Sequence, residues 1–395
     1  MTESKRPQGL QTQLVHAGEH DYNGAVTTPI FQSATYREEP GTTRYADVRY
    51  VRLNNTPNHD VLCQKLATIC EGSSAMVMSS GMAAISNTFM ALLRHGDHIL
   101  AQDCLYGGTR GFLTREAERM GIEVSFIDGR WPESWSQHLR PNTRMIYVEA
   151  MTNPLVQVAD LAQVVTFSYN HGLLSVIDNT FASPVNFKPL KLGFDVEIHS
   201  ATKYLGGHSD VVAGAVIGQR RFIDDITRTL NHTGGCLDPH ACFLLQRGMK
   251  TLGLRVKAQN AGAMAIAKTL LNHSAVAQVH YAGLPSHPDH AIASDLFKGF
   301  GGVLSFELHG GKPHAMALIE ALTLPTLAPS LGGVETLITL PATSSHAGVP
   351  ADERLKMGIT DGLVRVAVGI EDPEDLCHDF RQALDSLLPK EEEQA

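Results

Sequence analysis

Apolar positions fall into two textures along the chain. Between residues 74 and 202 short apolar, β-branched runs recur: AMVMSS, HILAQD, IEVSFID, RMIYVEA, LLSVIDNT and DVEIHSAT. Runs that stay apolar instead of alternating are expected of strands buried on both faces of a parallel sheet. Between them lie stretches with helical period. One is MAAISNTFMALLRHGD, closed by Arg94, His95 and Gly96, and segments near 109–120 and 159–170 predict crossover helices. PNHDVLCQKLATICEG sets Val61, Leu62, Lys65, Leu66 and Ile69 at helical spacing, with Gly72 as the expected stop. This alternation predicts an α/β fold around a doubly wound, mostly parallel sheet.

The texture changes after about residue 250. A long helical stretch, KTLGLRVKAQNAGAMAIAKTLL, leads into the strand-like VLSFELHGG, a helix near 313–322, and LVRVAVGIEDPEDLCHDFRQALDSLL. Fewer strands mixed with helices predict a smaller C-terminal α+β domain. The expected division is an N-terminal arm at 1–57, a large domain at 58–250 and the smaller domain at 251–395. The arm is rich in Pro, Gly, Thr and Arg and poor in periodic apolar runs, so it is expected to lie on another surface, that of a partner subunit. The tail KEEEQA is expected to be a solvated acidic end.

Composition narrows the function. The chain has 395 residues, 43% hydrophobic and 18% charged, a net charge of −9 and a pI near 6.1. These values suit a soluble globular enzyme and argue against a nucleic-acid partner. No apolar run reaches transmembrane length and the start lacks a signal-peptide core, so a cytoplasmic protein without membrane association is expected. The six cysteines form no C-x-x-C pair and read as reduced thiols. The 19 histidines are scattered, and HPDH alone lacks the ligand set of a zinc site, so no metal is expected.

In open α/β sheets ligands bind beyond the carboxyl ends of the strands. After AMVMSS comes Gly81-Met82-Ala83, where a helix N-terminus would offer backbone N–H groups to an anion. After HILAQD comes Tyr106 in CLYGGTR; after RMIYVEA comes Asn153, held by a proline; LLSVI ends in Asp178. After DVEIH come Ser200, Thr202 and Lys203, then Gly206-Gly207, which would let the backbone bend close to a ligand. Each has a plainer reading: a tight turn, a half-buried aromatic, a loop cap, a surface charge. Taken in order they supply an anion cradle, a ring stacker, a carboxylate for a ring nitrogen and an amine for an aldehyde. That sum describes a pyridoxal 5'-phosphate site.

The motifs SSGMAA, LYGGT, TNP, DNTF, SATKYLGGHSD, SLGGVETL and LVRVAVGIEDPEDL, in that order, resemble the Cys/Met-metabolism family of pyridoxal-phosphate enzymes. The family includes cystathionine β- and γ-lyases, cystathionine γ-synthase, homoserine-ester sulfhydrylases and methionine γ-lyase, and the likeness runs from about residue 12 to 388. It implies the large-and-small-domain architecture of fold type I. It also implies that Lys203 carries the cofactor as a Schiff base and then moves protons. By the same resemblance Asp178 keeps the pyridine nitrogen protonated and Tyr106 stacks on the ring, sharing in proton transfer. Gly81, Met82, Ser200 and Thr202 would hold the phosphate. Tyr50 and Arg52, in YVR, would reach the phosphate of a neighbouring subunit, giving a homodimer with shared sites, usually within a tetramer. Arg365 would grip the α-carboxylate of a small amino-acid substrate, assisted by Ser330 and Asn153.

Where substrates are told apart, the sequence departs from its relatives. Gly108 stands where methionine γ-lyases usually carry cysteine. Gly111 stands where several cystathionine enzymes place an arginine, and Arg110 is next to it. Arg49 precedes YVR where γ-lyases often have an acid, Pro329 precedes Ser330 where many have glutamate, and RLNNTPNHD is one residue longer than usual. The expected activity is that of a carbon–sulfur lyase acting on cystathionine or a related amino acid, giving a 2-oxo acid and ammonia. The alternatives are γ-replacement on a homoserine ester, a γ-lyase for methionine or an oxygen-linked analogue, and a non-catalytic pyridoxal-phosphate binder.

Overall fold

Every apolar run expected to be a buried strand is a strand, and all are largely buried except that in IEVSFID, which lies at the sheet edge with only Ile127 of its strand buried. A computed structural model describes residues 8–38, 40–41 and 47–389. The tail KEEEQA and part of the arm lie outside the described residues. Strands β1 (Ser74–Met78), β2 (His98–Gln102), β3 (Glu123–Ile127), β4 (Thr143–Glu149), β5 (Leu174–Asp178), β6 (Val196–His199) and β7 (Gly214–Gly218) form one sheet. Its order is β1-β7-β6-β5-β4-β2-β3. The pairs from β3 through β6 are parallel, and β7 runs antiparallel between β6 and β1. The carboxyl ends of β1, β2, β4, β5 and β6 therefore share one edge.

Strand β7 is unexpected: its apolar run in GAVIG is only three residues long and is bounded by glycines. Glycine is needed there by close approach: a Cβ on Gly214 would lie 2.0 Å from the Ser80 carbonyl oxygen, and one on Gly218 would lie 2.5 Å from that of Asp195. The helices Arg220–Thr233 and Pro239–Met249 are further additions. The first buries Phe222, Ile223, Ile226 and Leu230, an i, i+1, i+4, i+8 stripe visible in the sequence.

The helix Pro57–Cys70 begins with proline at its first position and ends two residues before the expected stop. Glu71, at φ 61°, takes the left-handed capping position. Gly72 is glycine for another reason: a Cβ there would lie 2.5 Å from Cγ2 of Ile217.

A second sheet holds β8 (Val276–His280), β9 (Val303–Leu308), β10 (Thr326–Leu327), β11 (Leu337–Thr339) and β12 (Val364–Ala367), in the order β10-β11-β12-β9-β8. Strand β12 is antiparallel to both neighbours. Its period of two directs Val364 and Val366 into one apolar core and turns Arg365 and Ala367 the other way. One core cluster joins both sheets, running from Leu14 through Leu62, Ala215 and Val256 to Val303 and Ala367. The front of the arm belongs to it. The helix Leu10–His16 buries Leu14 against its own chain, so this part of the arm does not wait for a partner. Among the described residues no helix is long and apolar enough to cross a membrane.

Candidate active site

A cavity of about 700 Å³ opens at the shared strand edge, between the two sheets. Ten of the twelve sequence-singled residues line it: Gly81, Met82, Tyr106, Asn153, Asp178, Ser200, Thr202, Lys203, Ser330 and Arg365. Tyr50 and Arg52 do not. Arg52 donates to the Asn231 carbonyl at 2.7 Å and lies over the Tyr50 ring at 5.7 Å, and Tyr50 is partly exposed. Within one chain these two stand apart from the cavity.

The β1 end makes an anion cradle. Ser80 caps the helix Gly81–Leu92 by accepting from Ala83 N–H at 3.0 Å, which leaves the N–H groups of Gly81 and Met82 without an acceptor among the described residues. A side chain at Gly81 would strike Ser200, whose Cβ and Oγ both lie 2.8 Å from the ideal Cβ position, so the glycine keeps the cradle open. The Ser200 hydroxyl has no partner among the described residues. Thr202 differs: its hydroxyl donates to the Ala213 carbonyl at 3.2 Å and accepts from Ala213 N–H at 3.0 Å. It must give up the first bond to donate to an anion.

At the cavity floor Asp178 is buried. Its Oδ1 accepts from the Thr180 N–H at 2.9 Å and from the Thr180 hydroxyl. The same hydroxyl accepts from Ser200 N–H at 2.8 Å, tying the carboxylate to the cradle. Burial raises the Asp178 carboxyl above the ordinary range, and the Thr180 bonds oppose that rise. Beside it lies Glu149, buried, lining the cavity, and accepting from Tyr106 N–H at 2.7 Å. Neither Glu149 nor Thr180 was singled out from sequence. The signal for Glu149 was its place at the end of RMIYVEA, the position that drew attention to Asp178 in the next strand.

Lys203 donates from Nζ to Ser330 Oγ at 2.7 Å. Burial, and then the nearby Arg365 charge, lower its pKa to about 8. Arg365 donates to Asn153 Oδ1 at 3.0 Å and to the Ser330 carbonyl at 2.8 Å, while its buried Nε has no partner. Burial lowers its pKa to about 10. Among the described residues no carboxylate pairs with it. A buried guanidinium satisfied only by neutral acceptors is a receptor for an anion. Ser330 links amine and guanidinium from a backbone at φ 93°, a strained conformation for serine.

The second glycine of Gly206-Gly207 does not serve a ligand as expected. Gly207, at φ 73°, makes room for Arg255, not for a ligand: a Cβ would lie 1.9 Å from the guanidinium. Arg255 donates to the carbonyls of Tyr204 and Gly248 at 2.8 and 2.7 Å, locking the turn after Lys203. Arg110 is turned away from the cavity. It donates to the Asp103 carbonyl at 2.8 Å and stacks 4.5 Å from the Phe126 ring centre, so it does not replace an arginine at Gly111. A Cβ on Gly108 would lie 2.6 Å from the Tyr106 ring, so cysteine there requires Tyr106 to move. Arg49 pairs with Asp60 at 3.1 Å.

Residues 11–385 match the family described as Cys/Met metabolism PLP-dependent enzyme, and the chain belongs to that family. A cystathionine gamma-lyase of Bacillus subtilis (strain 168) is 42% identical over 380 residues, covering 95% of this chain and 99% of that protein. An L-methionine gamma-lyase of Fusobacterium nucleatum subsp. nucleatum is 40% identical over 390 residues, covering 96% and 98%. The structure of cystathionine gamma synthase from Xanthomonas oryzae pv. oryzae, in complex with aminoacrylate and cysteine, matches with a TM-score of 0.92 at 38% identity, covering 96% of this chain and 98% of that one. The fold is the type I fold of pyridoxal-phosphate enzymes, with a mixed α/β large domain and a smaller C-terminal domain.

Proposed function

We propose that this chain is a pyridoxal-phosphate-dependent lyase that expels a sulfur leaving group from Cβ or Cγ of an L-amino acid such as cystathionine. The observation carrying the reading is the Lys203–Ser330–Arg365 chain, which sets a lysine of lowered pKa beside a buried guanidinium that no carboxylate pairs with among the described residues.

The residues present fit the cofactor. The free N–H groups of Gly81 and Met82 and the Ser200 hydroxyl suit its phosphate, with Thr202 joining once its bond to Ala213 is released. Asp178 suits its ring nitrogen, Tyr106 its ring face, and Lys203 its aldehyde. When bound, the cofactor supplies an electron sink for the bond-breaking at Cα.

The protein's own groups do the rest. Arg365 fixes the substrate α-carboxylate with its planar fork, and Asn153 orients that fork through its 3.0 Å bond. Lys203, freed once substrate binds, takes the Cα proton, and a pKa of about 8 leaves a usable share of neutral amine near neutral pH. Ser330 Oγ holds that nitrogen in line. The C–S bond then breaks and the sulfur leaves as a thiol after gaining a proton. Water hydrolyses the remaining unsaturated amine to a 2-oxo acid and ammonia. We also infer that Tyr50 and Arg52 complete the cradle of a second copy, which accounts for their distance from their own cavity.

The test is incubation with cystathionine, cysteine, methionine, homocysteine, O-acyl-homoserines and oxygen analogues, measuring 2-oxo acid, ammonia and thiol exchange. Keto acid and ammonia from cystathionine support the lyase. Thiol incorporation into an O-acyl-homoserine without keto acid overturns it in favour of γ-replacement. For the shared site, mixing Arg52→Ala with Lys203→Ala protein should restore activity that neither has alone. Failure of exchanged hybrids to regain any activity sinks that part.

A further inference from the structure

The two acids at the cavity floor occupy equivalent places but have different partners. Glu149 ends β4 and Asp178 ends β5, directly opposite in the parallel register, so both side chains leave the sheet on one face. Both are buried and both line the cavity. Neither has a lysine or arginine ion-pair partner among the described residues. Two adjacent carboxyls in such surroundings resist joint ionisation, as each charge raises the cost of the other.

Their hydrogen bonds decide which keeps the proton. Asp178 accepts from the backbone N–H and the hydroxyl of Thr180, two donors that favour its charged form. Glu149 accepts from one donor, the Tyr106 N–H. A neutral carboxyl satisfies that donor through its carbonyl oxygen and keeps its proton on the other oxygen.

The groups facing the pair agree. Burial, then the Asp178 charge, push the Glu149 carboxyl well above its ordinary range. His199 on β6 favours the Asp178 anion, while Glu197 on the same strand opposes it. Tyr147 on β4 and Cys104 after β2 both have raised pKa values, so neither supplies a competing anion.

We propose that Glu149 works as a protonated carboxylic acid, a positioning residue that anchors Tyr106 through its backbone and leaves Asp178 the single anion at the cavity floor. The inference rests on the reading above that Asp178 and Tyr106 face the cofactor ring. It predicts that charge at position 149 is dispensable and that the acceptor is not. Glu149→Gln keeps a neutral acceptor, whereas Glu149→Ala removes it.

The experiment has a direct readout and a functional one. In infrared spectra of the cofactor-loaded enzyme at neutral pH, a protonated-carboxyl band should shift on 13C-glutamate labelling and be missing from Glu149→Gln. Glu149→Gln should keep the cofactor's visible absorbance and kcat within about threefold, while Glu149→Ala loses about tenfold or more in kcat. A band that ignores glutamate labelling overturns the proposal, as does one that survives in Glu149→Gln. So does a Glu149→Gln enzyme as impaired as Glu149→Ala. Labelled wild-type protein gives the first answer even if the variants fold poorly. The infrared result is independent of substrate, so a wrong substrate assignment leaves it intact and shows itself only as absent turnover.

Discussion

Two lysines, the half-buried Lys203 and the fully buried Lys65, show how little a lowered pKa says about function without its surroundings. Burial lowers each to about 8. Lys65 is fully enclosed, donating to the carbonyls of Leu14 at 2.9 Å and Val15 at 3.2 Å, with Glu19 Oε1 at 3.8 Å. These acceptors are the end of the helix Leu10–His16 and the residues after it, so Lys65 pins the arm to the core. Lys203 has one hydroxyl partner and faces a cavity of about 700 Å³. One amine is saturated by fixed oxygens and has no room for a reactant. The other is held by a group that can release it, beside space for a substrate. Perturbed pKa values mark candidate sites, and geometry separates catalysis from anchoring.

The sharpest way to break this contrast is to remove each amine. Lys203→Ala is expected to lose at least about a thousandfold in turnover together with the cofactor's visible absorbance. Lys65→Ala should keep activity per folded molecule within about twofold. Equal losses of activity would erase the distinction. Next in size is Arg365→Leu, which should raise KM about a hundredfold by removing the carboxylate receptor. It should also move the Lys203 titration upward, because the Arg365 charge is the second cause of its lowering, and leave Lys65 untouched. The pH profile of cofactor reloading reads this; an unshifted profile would argue against the Arg365 contribution.

A smaller effect concerns stability. Lys65→Ala strands two backbone carbonyls and should destabilise by about 2–3 kcal/mol, read by urea unfolding. A loss under about 0.5 kcal/mol would mean the arm is held by apolar contacts instead. The smallest effect is in the pH dependence. The folded-state pKa of Lys65 lies below its ordinary 10.5, so unfolding takes up a proton between about pH 8 and 10. Its contribution to stability therefore grows as pH rises through that window. The penalty of Lys65→Met should widen from neutral pH toward pH 10, and a constant penalty would contradict the lowered pKa.

Much of the site could be read from the chain because a parallel sheet delivers the residue after each strand to one edge. Gly81, Tyr106, Asp178 and Lys203 each follow a recognisable apolar run, so their order along the sequence already implies their convergence. Arg365 was legible only through the family resemblance of LVRVAVGIEDPEDL. What stayed hidden depended on contacts between strands or segments far apart. Glu149 was one more carboxyl until β4 and β5 set it opposite Asp178. Gly207 is glycine because of Arg255, 48 residues further on. Arg110 could not be excluded as a substrate ligand until Phe126 and the Asp103 carbonyl held it aside.

By itself the sequence determined the fold class, the strand ends that meet at the cavity and the lysine at their centre. These follow from local periodicity and from the rule that parallel strands point the same way. Tertiary structure alone decided which lysine faces the cavity, which of two neighbouring acids has two donors, and that the Arg365 guanidinium has no carboxylate partner among the described residues. Those outcomes depend on burial and hydrogen-bond partners brought in from distant segments, and no local pattern of residues encodes them.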